Sequence, residues 1–191
     1  MALLIRNPAR AAALFAAIAC AAWCALAPTA VAGGETGGFQ EYEIKAGYLV
    51  NFPKYIDWPE DAFPDPEAPF KFGILGENPF GDVLGELLRG LELHGRPAVL
   101  VSSDDPADLH DCHVVYTALA MDAGAADAIE ALRDSRALTV GEQEGFAERG
   151  GMINFVRQDA KVKFEVNLKS ANRASLNLSA RLLRLAVKVF R

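Results

Sequence analysis

FQEYEIKAGYLVNFPKYIDWP, residues 39–59, decides how this chain is read. It holds six of the 17 aromatic residues, Phe39, Tyr42, Tyr48, Phe52, Tyr55 and Trp58, a density that marks a segment built to be docked. At helical spacing Ile44, Tyr48, Phe52, Tyr55 and Ile56 share one side, while Glu41, Lys45 and Asn51 lie elsewhere. An apolar stripe with a period of about 3.6 is the mark of a helix laid on a core. Pro53 deletes a backbone donor and predicts a kink near Phe52. Trp58-Pro59 predicts the end of the helix, because a residue before proline is pushed out of the helical region.

Outward from this segment the chain alternates between short apolar runs and helical patterns. A Pro-rich loop precedes a strand expected at Phe70 to Leu75. Gly76-Glu77-Asn78-Pro79 then turns into a helix with Asn78 as N-cap and Pro79 at its first position, carrying Phe80, Val83, Leu84, Leu87 and Leu88 inward and stopping at Gly90. Strands follow at Arg96 to Ser102, apolar on both faces, and at His113 to Ala118; a helix from about Ala123 to Arg133 and a strand at Ala137 to Gly141 make a further unit. Met152 to Val156 and Lys161 to Leu168 flank a turn near Asp159-Ala160, the pattern of an antiparallel hairpin. In its second arm Lys161, Lys163 and Glu165 alternate with Val162, Phe164 and Val166, as an edge strand does. A last helix is expected from about Ser170 to Phe190, burying Ala171, Leu178, Leu182, Leu185 and Val189. The fold class is α/β: a single three-layer domain, a mostly parallel sheet with an antiparallel C-terminal hairpin and helices on both faces.

The N-terminus reads as an address. Arg6 and Arg10 precede an apolar run from Ala11 to Leu26, and Ala30-Val31-Ala32 is a small-residue cleavage site. Residues 1–32 are therefore a secretory signal peptide, 33–40 a short linker and 41–191 the domain. A lipoprotein-type site at Cys20 is the weaker alternative. Without residues 1–32 the chain keeps 159 residues, with 17 basic against 25 acidic side chains and a net charge of −8. One domain of that length buries about 70% of its extended-chain surface, enough for a core without staples. An acidic exported chain is a poor nucleic-acid binder, because that affinity rests on neutralised phosphates. Only Cys112 survives cleavage, so an internal disulfide is excluded, and its place before Val114-Val115-Tyr116 predicts a buried thiol.

Reactive groups are scarce. Gly76, Glu77, Asn78 and Phe80 join a strand end to a helix start, where open α/β sheets place a ligand crevice. Glu77 and Pro79 speak against a phosphate there, and a capped tight turn is the competing structural reading. His110, Cys112 and His113 bring metal-ligating types together, but no second cluster supplies the missing ligands. No serine- or cysteine-nucleophile motif and no apolar carboxylate pair is present, so neither a catalytic residue nor a cofactor is assigned. On the last helix Arg181, Arg184, Lys188 and Arg191 fall at i, i+3, i+7 and i+10. Such a stripe is a solvated face, or a docking surface for an acidic partner or phospholipid headgroups.

Tyr48-Leu49-Val50-Asn51-Phe52 with Tyr55-Ile56-Asp57-Trp58-Pro59 resembles the opening motif of the YfiR/HmsC-type family of small periplasmic proteins. Ile74-Leu75-Gly76 with Asn78-Pro79-Phe80-Gly81, Cys112-His113-Val114-Val115-Tyr116, Leu138-Thr139-Val140-Gly141, Gly150-Gly151-Met152-Ile153-Asn154-Phe155, Phe164-Glu165-Val166-Asn167-Leu168 and Leu182-Leu183-Arg184-Leu185-Ala186 follow in the family's order. The resemblance implies a periplasmic, dimeric repressor that binds the sensor region of an inner-membrane diguanylate cyclase, or another signalling protein such as a sensor kinase. It also implies an OmpA-like outer-membrane lipoprotein that sequesters the repressor, and control of cyclic di-GMP and biofilm formation. Relatives of this kind often carry further cysteines and can form disulfides, and this chain departs from them there. Tyr48, Phe52, Tyr55 and Trp58 with Arg181, Arg184 and Lys188 are the expected partner-binding residues. The alternative is a small periplasmic solute-binding or ligand-sensing module using the crevice at Gly76 to Phe80.

Overall fold

The computed structural model describes residues 35–63, 65–119, 124 and 126–191, with side chains from residue 40 onward. The expected signal peptide, with its expected cleavage site and Cys20, lies outside the described residues. Helix α1 (Glu35–Asn51) begins within the stretch read as a linker and leads into a 3-10 turn, Phe52–Tyr55. Strand β1 (Ile56–Asp57) comes next, so the helix does not run on to Trp58-Pro59. Pro53 is the reason: it cannot donate to the carbonyl four residues back, and the chain tightens until the Ile56 N–H donates to the Pro53 carbonyl.

The remaining strands are β2 (Phe70–Leu75), β3 (Glu92–Leu93), β4 (Arg96–Ser103), β5 (Val114–Thr117), β6 (Leu138–Gly141), β7 (Ile153–Gln158), β8 (Lys161–Asn167), β9 (Asn177–Leu178) and β10 (Lys188–Phe190). Eight of them form one sheet in the order β10-β8-β7-β6-β5-β2-β4-β3, and β1 pairs with β9 in a separate ribbon. From β4 across to β7 the pairing is parallel; β3 and β8 join antiparallel, and β10 runs parallel to β8. This is the mixed α/β architecture expected from the alternation of elements.

Strand periodicity sorts the side chains into two layers. Phe70, Phe72, Ile74, Val114, Tyr116, Leu138, Val140, Ile153, Phe155, Phe164 and Val166 join the larger cluster with Ala46, Leu49, Val50 and Phe52 of the N-terminal segment. Leu75 and Val115 join the smaller one with Leu109, Cys112, Ala128 and Leu132. Each fully buried large side chain contributes about 1.5–3 kcal/mol, so the aromatic layer over β7 and β8 is a main anchor of α1.

The periodicity of α1 misplaces its buried face. Lys45, Ala46, Leu49 and Val50 are buried, while Ile44 is 47% exposed and Tyr48 half-buried. Phe52 and Ile56, the last members of the expected stripe with Tyr55, are buried as expected, so the stripe turns inward only at its C-terminal end. Helix α2 (Val83–Leu88) starts later than expected, because Asn78 closes its own turn: its Oδ1 accepts from the Phe80 N–H and its Nδ2 donates to the Gly81 carbonyl. Leu87, expected inward, is 44% exposed. Strand β4 is half-buried along most of its length rather than covered on both faces. Helix α3 (Ala126–Ala131) lies within the range expected for it.

The ending is the largest correction. Asn167 caps a short α4 (Leu168–Arg173), Ser175 at φ 61° stops it, and β9 follows. Ser179 caps α5 (Ala180–Leu185) by accepting from the Leu182 N–H, and Ala186 turns extended into β10. Local side-chain caps thus cut the expected 170–190 helix in two. Leu185 is 57% exposed and Val189 half-buried, whereas Ala171, Leu178 and Leu182 are buried as expected. Because β10 covers Glu165 to Asn167, β8 is not the sheet edge that its alternation predicted. The hairpin turn itself stands where expected, with Asp159 and Ala160 at φ 51° and 57°.

Candidate interaction surface

Three places hold what the sequence singled out. The first is an apolar groove of about 340 Å³ between the C-terminal half of α1 and α5. Tyr48, Phe52 and Tyr55 line it with Ile44, Leu182 and Leu185. Its floor is a packed aromatic group: Phe52 stacks on Phe155 at 5.9 Å and meets Phe164 edge-on at 5.2 Å, while Tyr48 meets Phe164 at 5.6 Å. The wall is fixed by Asn51, whose Nδ2 donates to the Gly47 carbonyl at 2.7 Å and whose Oδ1 accepts from Lys54. The Arg181 guanidinium sits 5.4 Å from the Tyr55 ring centroid, a cation–π contact at the rim. Exposed Arg184 lies on the same short helix as Arg181, and exposed Lys54 precedes Tyr55.

Two expected members are elsewhere. Trp58 donates from Nε1 to the Arg136 carbonyl at 2.8 Å and packs edge-on against Phe70, which makes it a tie between elements. Lys188 lies on β10 and pairs with Glu148 at 3.1 Å, so the basic residues do not form one helical stripe.

The second place is the sheet end at Gly76 to Phe80. Gly76 has φ 91°, and a Cβ there would stand 2.8 Å from Leu119. Phe80 is buried edge-on against Tyr42 (5.6 Å) and Tyr116 (4.8 Å), so it plugs the end of the sheet, and Glu77 is exposed. Beside the plug lies a polar group that periodicity misses. Lys45, 4% exposed, pairs with Glu142 and with Glu41 (2.6 Å), and Tyr42 donates to Glu142 Oε1 at 2.8 Å. The i,i+4 spacing of Glu41 and Lys45 was the available signal; Glu142, a hundred residues from Tyr42, had none. Burial, then the Glu142 hydrogen bond and the Glu142 and Glu41 charges, push the Tyr42 hydroxyl up to about 12. Burial first and the Glu142 charge next push the fully buried Tyr116 far up as well, and among the described residues its hydroxyl has no hydrogen-bond partner.

The third place is a cavity of about 290 Å³ at the opposite end of the parallel strands, lined by Phe63, Lys71, His110, Asp111, His113 and Arg136 among others. His113 is buried at the strand entrance; its Nδ1 accepts from the Lys71 N–H and its other nitrogen lies 3.2 Å from the Ala62 carbonyl. Cys112 is buried, and burial pushes its thiol up to about 11, with nearby Lys71 opposing and Asp111 adding. Among the described residues no group of three or more His, Cys, Asp or Glu side chains is placed to hold a metal ion. Among them, too, no helix is long and apolar enough to cross a membrane.

Comparison with known proteins adds a family and a fold. A family model described as YfiR/HmsC-like matches residues 42–187. No curated protein matches the chain. A conserved domain protein from Vibrio cholerae O1 biovar eltor is similar at TM-score 0.51 and 10% identity, over 78% of this chain and 60% of that one. An ABC domain in complex with L-Trp from Streptococcus pneumonia is similar at TM-score 0.50 and 12% identity, over 76% and 60%. The chain thus aligns with 60% of the length of either solved protein, and at these identities the likeness is one of fold.

Proposed function

The chain belongs to the YfiR/HmsC-like family of periplasmic regulators, and on that premise we propose that it acts by holding a membrane signalling protein rather than by chemistry. The partner is the periplasmic sensor region of an inner-membrane diguanylate cyclase, held in its inactive conformation; a sensor kinase is the related possibility in the same class. To repress, the protein must prefer that conformation, since equal affinity for both states shifts nothing. An OmpA-like lipoprotein of the outer membrane competes for the repressor. The consequence is lower cyclic di-GMP and less biofilm.

One observation carries the reading: an aromatic-floored groove left open to solvent, with Leu185 57% and Ile44 47% exposed at its lip. Apolar residues left open in a concave, aromatic-lined site fit an amphipathic segment of a partner. The rim chooses its sign. Arg181 stands against the Tyr55 ring, and exposed Arg184 and Lys54 lie on the same short helix and turn that line the groove, on a chain of formal net charge −6, so an acidic flank on the partner is favoured. Pairing of the groove with its own copy would set those cations against each other.

Deletion of the gene tests the repressor assignment: cellular cyclic di-GMP is expected to rise, and an unchanged level contradicts it. A second reading, a ligand-sensing module, draws on the 290 Å³ cavity and on the L-Trp complex of the similar ABC domain. It requires a small ligand that raises the melting temperature of the native protein, and it is compatible with the first.

A further inference from the structure

We propose that a niche between α3 and α4 binds a phosphate group with three free oxygens, as inorganic phosphate or a phosphate monoester. Arg133 borders it just beyond α3, Ser170 and Arg173 border it from α4, and Thr139 of β6 lies beneath with Gly150 and Met152. The niche shares no lining residue with the aromatic groove or with the cavity around His113, and the proposal does not depend on the regulatory reading.

Its inner wall holds hydroxyls that the fold leaves unused. The backbone donors there are committed: the Met152 N–H donates to the Thr139 carbonyl at 3.2 Å and to its Oγ1 at 3.1 Å, and the Gly150 N–H donates to the Ala147 carbonyl at 3.3 Å. Thr139, 3% exposed, accepts that bond and keeps its own hydroxyl proton free. Ser170, 5% exposed, bonds Asn167 through its backbone N–H, and among the described residues its hydroxyl has no partner. Among them, too, the Tyr116 hydroxyl is the one side-chain group both sealed from solvent and unpartnered. The Ser170 hydroxyl therefore keeps a path outward, and the niche is the opening that Ser170 lines. An enclosed hydroxyl without a partner is unfavourable until an acceptor oxygen reaches it.

The mouth supplies the charge. Arg133 and Arg173 come from separate elements and are both exposed. Arg173 has no ion pair among the described residues. Arg133 pairs with Glu130, but both side chains stand in water, where such a pair holds either of them weakly. Gly150 brings the loop up against α3: it has φ 113°, and a Cβ there would stand 3.2 Å from Ile129.

Size and geometry then select the ligand. The niche is about 20 Å³, room for about one oxygen-sized group. One oxygen enters to meet the two hydroxyls, and the others stay at the mouth, where each guanidinium takes its own acceptor. A phosphate with three free oxygens serves all of them. A carboxylate, or the diester phosphate of a common phospholipid, has a single free oxygen left for two arginines.

The test is calorimetric titration of the native protein, purified from its host, with sodium phosphate against sodium chloride of equal ionic strength. Millimolar or tighter binding of phosphate is expected, with a raised melting temperature. Arg173→Gln and Ser170→Ala should each weaken it by about tenfold or more, and Arg173→Gln, an exposed change, decides the matter if the serine variant misfolds. Arg89→Gln, an equal loss of charge elsewhere on the surface, should leave it unchanged. Glycerol 3-phosphate is expected to compete, and acetate is not. Vesicles of phosphatidic acid distinguish the sources: sedimentation of native protein but not of Arg173→Gln assigns the monoester to a lipid headgroup, and no sedimentation assigns it to a soluble molecule. A phosphate response no greater than that to chloride overturns the proposal. So does equal phosphate affinity in native protein and Arg173→Gln, or acetate binding as tight as phosphate.

Discussion

His113 shows how one side chain ties acid stability to the fold. Its ring lies between Phe63 at 4.7 Å and Phe70 at 4.5 Å, with both nitrogens occupied, so the native state holds it neutral. Burial is the main cause that lowers it from 6.5 to about 4; the Ala62 carbonyl opposes, and Arg96, Lys71 and His94 add to the lowering. Between about pH 6.5 and pH 4 the unfolded chain thus binds a proton that the native chain does not, and stability falls as pH falls through that window. The expected loss is roughly 3 kcal/mol, read as the difference between native protein and His113→Gln in urea unfolding from pH 7 to pH 4. Equal slopes for the two proteins contradict it. The Lys45 group teaches the complementary lesson: a buried cation held by Glu41 and Glu142 adds little net stability, but it fixes how α1 is rotated on the sheet.

At the scale of the element, the turn between β7 and β8 stores a small strain. Asp159 and Ala160 both adopt the left-handed region, which suits a two-residue hairpin but burdens a Cβ at Ala160. Ala160→Gly is expected to stabilise the protein by about 1 kcal/mol in thermal unfolding, and a destabilised variant contradicts the turn. That hairpin was legible in advance because alternation and a two-residue gap are local signals. So were β2, β5 and β6, whose apolar runs are bounded by polar turns. The last helix was not, because its apolar spacing continues past Ser175 and Ser179 and only their caps and dihedral angles break it. For the candidate site, Tyr48, Phe52, Tyr55 and Arg181 were readable as aromatic and basic positions. That α5 and β8 complete the groove was not, since Leu182, Leu185 and Phe164 reach it only through tertiary packing.

At the scale of the whole molecule, the groove and the plugged sheet end are separate places on one fold. The parallel sheet spends its C-terminal end on a Phe80 plug and a polar tie, and it leaves a basic-rimmed aromatic groove at one side. A surface of this kind has an identifiable weak point, because few residues carry most of an interface's energy. Leu185 and Arg181 are exposed, so changing them should spare the fold. The most direct measurement is recovery of membrane proteins on tagged protein from its own host's envelope, comparing native chain with the Leu185→Asp, Arg181→Glu double variant. Native protein is expected to retain an inner-membrane signalling protein, and the variant, with an unchanged thermal melt, about tenfold less or lower still. Equal recovery by the two proteins would contradict it.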